Sequence, residues 1–372
     1  MKKVLLLGLC LLLGAMVIVL KEAYTFLQTP PEKEGRDLYF DVGQGKSLTK
    51  VASQLEEKGL ITNARYFVLL ARFRAVENKL QAGRFLLHTA WNPEKVLETL
   101  VHGKPVLYRI TLPEGLTMWQ TAALLAENGF VNEAAFLEIL RDPAFLRHFA
   151  IPFATAEGFL MPDTYLLKRE EQFIQEEAAK REEERKKNGE SGEGEKKVQE
   201  NNVSKIHARK VASRLVDAFW RKADSVWEGK KRPSSADLRR YVILASIVEK
   251  ETNLSEERRR VAGVYQNRLD RNMLLQADPT VIYGLGPAFK GRLLFRHLDD
   301  QKNPYNTYKK AGLPPGPICS FGISALKAAL SPEKHSFLYF VARANGAGHT
   351  FSKSLEEHNR AVQEYRRAKR DR

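Results

Sequence analysis

The segment Tyr241-Val242-Ile243-Leu244-Ala245-Ser246-Ile247-Val248 limits what this chain can fold into more than any other. Pro233-Ser234-Ser235-Ala236-Asp237 ahead of it reads as a helix start, with a capping box between Ser234 and Asp237. A helix wound through Tyr241 to Val248 is apolar on nearly every side, so it must be central and buried, with other elements packed around it. The run closes on Glu249-Lys250-Glu251-Thr252, Asn253 marks a stop, and Ser255 caps a following helix that carries Arg258 to Leu269. With 372 residues the chain has room for two to three domains around such a core.

A second constraint is an internal repeat offset by 70 residues. The first copy reads Gly45-Lys46-Ser47-Leu48, Val51-Ala52, Leu55 and Gly59-Leu60-Ile61; the second reads Gly115-Leu116-Thr117-Met118, Thr121-Ala122, Leu125 and Gly129-Phe130-Val131. Each follows an alternating, strand-like stretch, Leu38–Val42 or Leu107–Leu112. Ser47 and Thr117 stand where a helix N-cap belongs, and Gly59 and Gly129 where the helix must stop. The unit is strand, turn, amphipathic helix, glycine, second helix. Two copies are too few for a solenoid, so a pair of small α+β modules is expected. Such units either serve as scaffold or resemble the glycan-binding LysM module.

The N-terminus bears on location. Val4 to Leu20 carries no charge and lies between Lys2-Lys3 and Lys21-Glu22. As a helix it would cover about 26 Å, enough for a thin bilayer core. The two lysines favour a cytoplasmic N-terminus with the body outside. The reading is an uncleaved N-terminal transmembrane helix, residues 1–20, with a cleaved signal peptide as its rival. The linker spans 21–35, the LysM-like modules 36–140 and an α+β catalytic domain with the central buried helix 150–365. Residues 168–210 hold 12 basic and 11 acidic side chains with few apolar ones. That insertion reads as a solvated helix followed by a disordered Gly/Ser/Glu stretch. The net charge of +15 therefore lies elsewhere, part of it in the tail from Arg360 to Arg372. It points to an anionic neighbour such as an acidic polymer or membrane surface. No aromatic–basic motif accompanies it, so nucleic acid is not an expected partner. Cys10 and Cys319 are too few for a disulfide framework or a zinc site of the usual spacing, and no metal or cofactor is expected.

Glu249 is the candidate for chemistry. It ends an apolar run on a buried helix, so desolvation and the negative end of the helix dipole both raise its pKa. A carboxyl that keeps its proton near neutral pH is what a glycosidic leaving oxygen needs. The alternative is a solvated helix end at which Glu249 pairs with Lys250, Arg239 or Arg240. Polar and aromatic turns follow at Gln276-Ala277-Asp278-Pro279-Thr280-Val281-Ile282-Tyr283-Gly284 and Asn303-Pro304-Tyr305-Asn306-Thr307-Tyr308, with a rigid Gly312-Leu313-Pro314-Pro315-Gly316-Pro317-Ile318 loop behind them. Asp163 and Asp278 could equally bond turn backbones.

Taken together, Glu157–Tyr165, Ala245–Thr252, Gln276–Gly284, Asn303–Tyr308, Gly312–Ile318, Phe337–Ala342, Gly348–Ser352 and Glu357-His358-Asn359 resemble the motif series of the bacterial endolytic murein transglycosylases. The resemblance implies an enzyme that cleaves peptidoglycan strands internally between N-acetylmuramic acid and N-acetylglucosamine. Glu249 would act first as acid and then as base, and the product would carry a 1,6-anhydro end. It places sugar contacts on Gln276, Asp278, Tyr305, Asn306 and Thr307. It also implies an inner-membrane location with the body outside, and peptidoglycan synthases as family-level partners. The chain departs from the pattern in the 168–210 insertion, at Cys319-Ser320-Phe321 and at Arg343–Ala347. The rival reading is a non-catalytic cell-wall-binding scaffold of a division or elongation complex.

Overall fold

The computed structural model describes residues 14, 16, 21–43, 45–103, 106–188, 196–227 and 232–370. The chain forms two compact units, residues 1–110 with 165–169, and residues 111–164 with 170–372. Both are α+β.

In the first unit, strand β1 (Asp37–Val42) is followed by helices α1 (Leu48–Glu57) and α2 (Ala64–Phe73). Strand β2 (Gly83–His88) then returns antiparallel to β1, with Asp37 opposite His88 and Val42 opposite Gly83, and helix α3 (Pro93–His102) follows. The Ser47 side chain caps α1 and Asn63 caps α2, while Gly59 ends the α1 turn at φ +67°. Phe40, Leu55, Phe67, Phe85, Leu87, Val96 and Leu100 form the core between the strand pair and the helices.

An N-terminal membrane anchor is not supported. Among the described residues no helix is long and apolar enough to cross a membrane. Of Val4 to Leu20 only Gly14 and Met16 are described; the rest lies outside the described residues. The helical stretch 21–28 carries Lys21 and Glu22, Glu22 accepts the Tyr66 hydroxyl at 2.6 Å, and Phe26 is buried in the core of the first unit. Its apolar side chains thus serve protein packing. The expected single-pass transmembrane placement in the inner membrane is corrected accordingly.

Strand β3 (Tyr108–Leu112) pairs with β4 (Asp163–Leu167), and the chain passes between the units along them. Between the two strands lie α4 (Met118–Glu127), α5 (Glu133–Ile139) and α6 (Pro143–His148). Thr117 caps α4 in a full capping box with Gln120, and Gly129 ends its turn at φ +72°. The second copy of the repeat is therefore part of the larger unit.

Helices α7 (Glu170–Asn188) and α8 (Lys196–Val226) follow. The expected disordered stretch falls largely on 189–195, outside the described residues. From Val203 onward α8 turns apolar residues inward: Val203, Ala208, Val211, Leu215 and Phe219 are buried, and the helix packs on α5. The charges of 168–210 hide this one-sided apolar stripe, so the part of the insertion from Val203 onward packs where the composition suggests none of it would.

Helix α9 (Ser235–Glu251) is the predicted central helix, with every residue from Val242 to Glu249 buried. Ser234 caps it, but its C-cap is Thr252 rather than Asn253. Helix α10 (Ser255–Asp270) starts at Ser255 itself, after a turn in which Thr252 Oγ1 accepts from the Leu254 amide at 3.1 Å. Short helices α11 (Asp278–Gly284) and α12 (Phe295–Leu298) lead to α13 (Ile323–Leu330), which packs on both α9 and α10. Strands β5 (Tyr339–Ala342) and β6 (His349–Ser352) form a hairpin against α14 (Leu355–Arg370).

Candidate active site

The stretch Ile318–Gly322 runs alongside α9 and fixes what α9 presents. Ser246 Oγ accepts from the Ile318 amide at 3.0 Å and donates to the Ile243 carbonyl at 2.8 Å. One turn further on, Glu249 Oε2 accepts the Gly322 amide at 3.0 Å. The other oxygen, Oε1, accepts from Arg258 Nη2 of α10 at 2.9 Å. The Glu249 side chain is 3% exposed and that of Arg258 7%. The pairing with Lys250, Arg239 or Arg240 does not occur: Lys250 Nζ donates to the Gly115 carbonyl at 3.1 Å, Arg239 binds the Pro152 and Pro315 carbonyls, and Arg240 binds Gln266.

These contacts divide into two groups by effect. Burial raises the pKa of Glu249 most, while the Gly322 amide and the Arg258 charge pull it back. The neighbouring carboxylate of Glu114 pushes it up again, and the net direction is upward. The result is a carboxyl reluctant to ionise, with donors already aimed at its ionised form. That is the electrostatic signature of a group able to release and retake a proton.

Glu114 was not legible as a site residue. It lies in the turn Leu112-Pro113-Glu114-Gly115 that leads into the second repeat, with Oε2 3.3 Å from Arg258 Nη2 and its side chain 47% exposed. The turn is anchored at Gly115 N to Ser320 O and Ser320 N to Leu116 O, both 2.8 Å. Only the repeat register pointed there, through the Gly–Thr N-cap signal just downstream.

Further along the same turn, Trp119 on α4 stands 5.0 Å from Tyr283, and Tyr283 stands 4.8 Å from Tyr305, measured between ring centroids. These half-buried rings form an aromatic row. Behind it Glu157 is fully buried; its Oε2 accepts the Met118 amide at 2.8 Å, and the Tyr283 hydroxyl acts to lower its pKa. Burial pushes the Glu157 pKa up to about 7 from an ordinary 4.5. Between those two values the native state holds a proton the unfolded chain has lost, so stability falls as pH rises through this window. The loss amounts to about 3 kcal/mol. Glu157→Gln, which cannot ionise, is expected to flatten this slope; urea midpoints of both proteins at pH 5 and pH 8 measure it, and parallel slopes would show that Glu157 does not titrate there.

The structure brings Tyr305 into the aromatic row, while Gln276 and Asp278 lie exposed at the start of α11. Gln276 takes a left-handed φ of +48°, and Asp278 Oδ1 accepts the Tyr308 hydroxyl at 2.6 Å. Asn306 and Thr307 point inward. The Asn306 amide donates to the His297, Leu298 and Asp300 carbonyls, and Thr307 Oγ1 accepts from the Ala277 amide at 3.0 Å. His349 of the Gly348–Ser352 motif bonds Glu257 of α10 through Nδ1 at 2.6 Å, tying the hairpin to that helix. Cys319 is a buried free thiol. Among the described residues no cluster of His, Cys, Asp and Glu could hold a metal ion.

With this geometry in hand, relatives can be compared. The sequence matches the YceG-like family over residues 40–206 and 198–364. The endolytic murein transglycosylase of Bacillus subtilis is 26% identical over 358 residues, covering 91% of this chain and 88% of that protein. The protein of the same name from Streptococcus pneumoniae strain D39 is 26% identical over 361 residues, and the match spans 58% of its length. A crystal structure of a YceG-like protein from Listeria monocytogenes is 29% identical with a TM-score of 0.53, covering 87% of this chain and 98% of that one. This chain belongs to the YceG-like family.

Proposed function

We infer that this protein is an endolytic murein transglycosylase, the activity its relatives are named for, and that Glu249 performs the chemistry. The reading rests on relatives of that name aligned along most of the chain, and its residue-level part on one observation. A carboxyl at the end of the buried stretch Val242–Glu249 is held between a guanidinium and a backbone amide. The substrate is the glycan strand of peptidoglycan, cut between N-acetylmuramic acid and N-acetylglucosamine.

Glu249 enters the reaction protonated and gives its proton to the glycosidic oxygen as the C1–O bond breaks. The carboxylate left behind is stabilised by the Gly322 N–H and by Arg258, at the N-terminus of α13. It then accepts the proton of the muramic acid 6-hydroxyl, whose oxygen bonds to C1. The products are a free 4-hydroxyl and a 1,6-anhydro ring. Glu249 ends protonated as it began, and no water is consumed. A hydrolytic pair of carboxylates flanking the bond is not needed.

Tyr305, with Trp119 and Tyr283, offers apolar ring faces against which sugar rings can lie, and Gln276 and Asp278 offer exposed polar groups beside them. Asn306 and Thr307 shape the turn that carries Tyr305. The strand–helix–helix–strand first unit is a LysM-like glycan-binding module in this reading, and the second unit is the catalytic domain. Trp119→Ala should raise KM for soluble glycan strands about tenfold and change kcat less, as loss of stacking area without loss of the acid implies. Equal losses in both parameters would place Trp119 in the fold rather than in the sugar site.

Mass spectrometry of fragments released from purified murein tests the whole reading. Anhydro ends are expected; reducing ends alone would make the enzyme a hydrolase, and no fragments would favour a scaffold.

A further inference from the structure

We propose that Glu114 is a positioning residue of this active site, sharing the guanidinium of Arg258 with Glu249. The inference rests on the role given to Glu249 above, and adds to it a residue from the second copy of the repeat.

Two contacts carry it. Arg258 Nη2 donates to Glu249 Oε1 at 2.9 Å and to Glu114 Oε2 at 3.3 Å, so one nitrogen bridges the two carboxyls. The Glu114 carboxyl also lies over Gly322: a Cβ at that glycine would overlap Glu114 Oε1. Gly322 is the residue whose amide holds Glu249 Oε2. Its lack of a side chain is what lets a second carboxyl reach the first.

Glu114 does not stand there by accident of a long side chain. The Gly115 and Ser320 backbone bonds lock its turn to the Ile318–Gly322 stretch, and Lys250, next to the acid, holds the Gly115 carbonyl. Each end of the arrangement is fixed by main-chain contacts.

A carboxylate beside Glu249 makes ionisation of Glu249 costlier, so Glu249 holds a proton more tightly. That proton readies it as the acid. Once Glu249 has given it up, repulsion between the two carboxylates strengthens Glu249 as a base toward the sugar 6-hydroxyl. Glu114 acts through Glu249 in both steps and needs no contact with the sugar.

The test is the pH dependence of kcat/KM on soluble glycan strands for the full chain, Glu114→Gln, Glu114→Asp and Glu249→Gln. An amide at 114 removes the repulsion and can donate to the Glu249 carboxylate, so Glu249 should lose its proton at lower pH. The basic limb of the Glu114→Gln profile is expected to move acidward by about one pH unit, costing about tenfold at pH 8 and little at pH 5. Glu114→Asp should return part of that shift. An unmoved limb, whether the rate is unchanged or uniformly lowered, overturns the proposal and leaves Glu114 a structural anchor. Retained activity in Glu249→Gln would overturn the reading of Glu249 and this pairing together. Loss of activity in Glu249→Gln with an unmoved Glu114→Gln limb overturns the pairing alone.

Discussion

Glu249→Gln is expected to reduce release of murein fragments by about a thousandfold or more while leaving the thermal unfolding midpoint close to that of the parent protein. General acid–base help is worth about a hundredfold to ten-thousandfold per step, and in the proposed mechanism this one group serves both the departure of the leaving oxygen and the capture of the 6-hydroxyl proton. An amide at 249 can still accept the Gly322 N–H, so the Ile318–Gly322 stretch keeps its place on α9. Arg258 keeps Glu114 as an anionic partner. The expected split is therefore activity lost and fold kept. Fragment release by the variant at a tenth of the parent rate would mean that proton transfer runs through another group.

The second large effect concerns Asn306, where loss should fall on stability. Its Nδ2 donates to the Leu298 carbonyl at 3.0 Å and the Asp300 carbonyl at 2.7 Å, with His297 further out, while Oδ1 accepts the Tyr308 amide at 3.0 Å. One buried side chain thus closes the loop from α12 to the turn carrying Tyr305. Asn306→Ala would remove the partner of these part-buried backbone groups, at about 3 kcal/mol in total. Urea unfolding of Asn306→Ala should show a midpoint shifted by that amount. A shift under about 1 kcal/mol, with activity lost, would instead put the amide on the sugar.

The sequence carried some of this plainly and some of it not at all. Apolarity on nearly every side from Tyr241 to Val248, broken only by Ser246, identifies a central helix, and Glu249 just after it is then the charged group forced inward. N-caps at Ser47, Thr117 and Ser234 were readable since a cap is a local contract between a side chain and amides three residues on. Pairings across long separations were not readable. Arg258 meeting Glu249 depends on how α10 crosses α9, and Glu114 meeting both depends on a backbone ladder 200 residues away at Ser320. Asn306 shows the same limit from the other side: a polar residue in an aromatic turn looks like a sugar contact until its three carbonyl partners are seen. The α8 segment misled because a helix with one apolar stripe and many charges has the composition of a solvated one.

The placement of the second repeat copy has a consequence for how this protein can be taken apart. Duplicated units usually permit dissection: one cuts between copies and studies each alone. Here the second copy supplies Glu114 and Trp119 to the same unit as Glu249, from more than a hundred residues upstream. A fragment beginning at residue 150 would retain the acid and lack its partner carboxyl and one aromatic face. The two copies thus hold unequal places, one within the first unit and its twin within the unit that carries the proposed site.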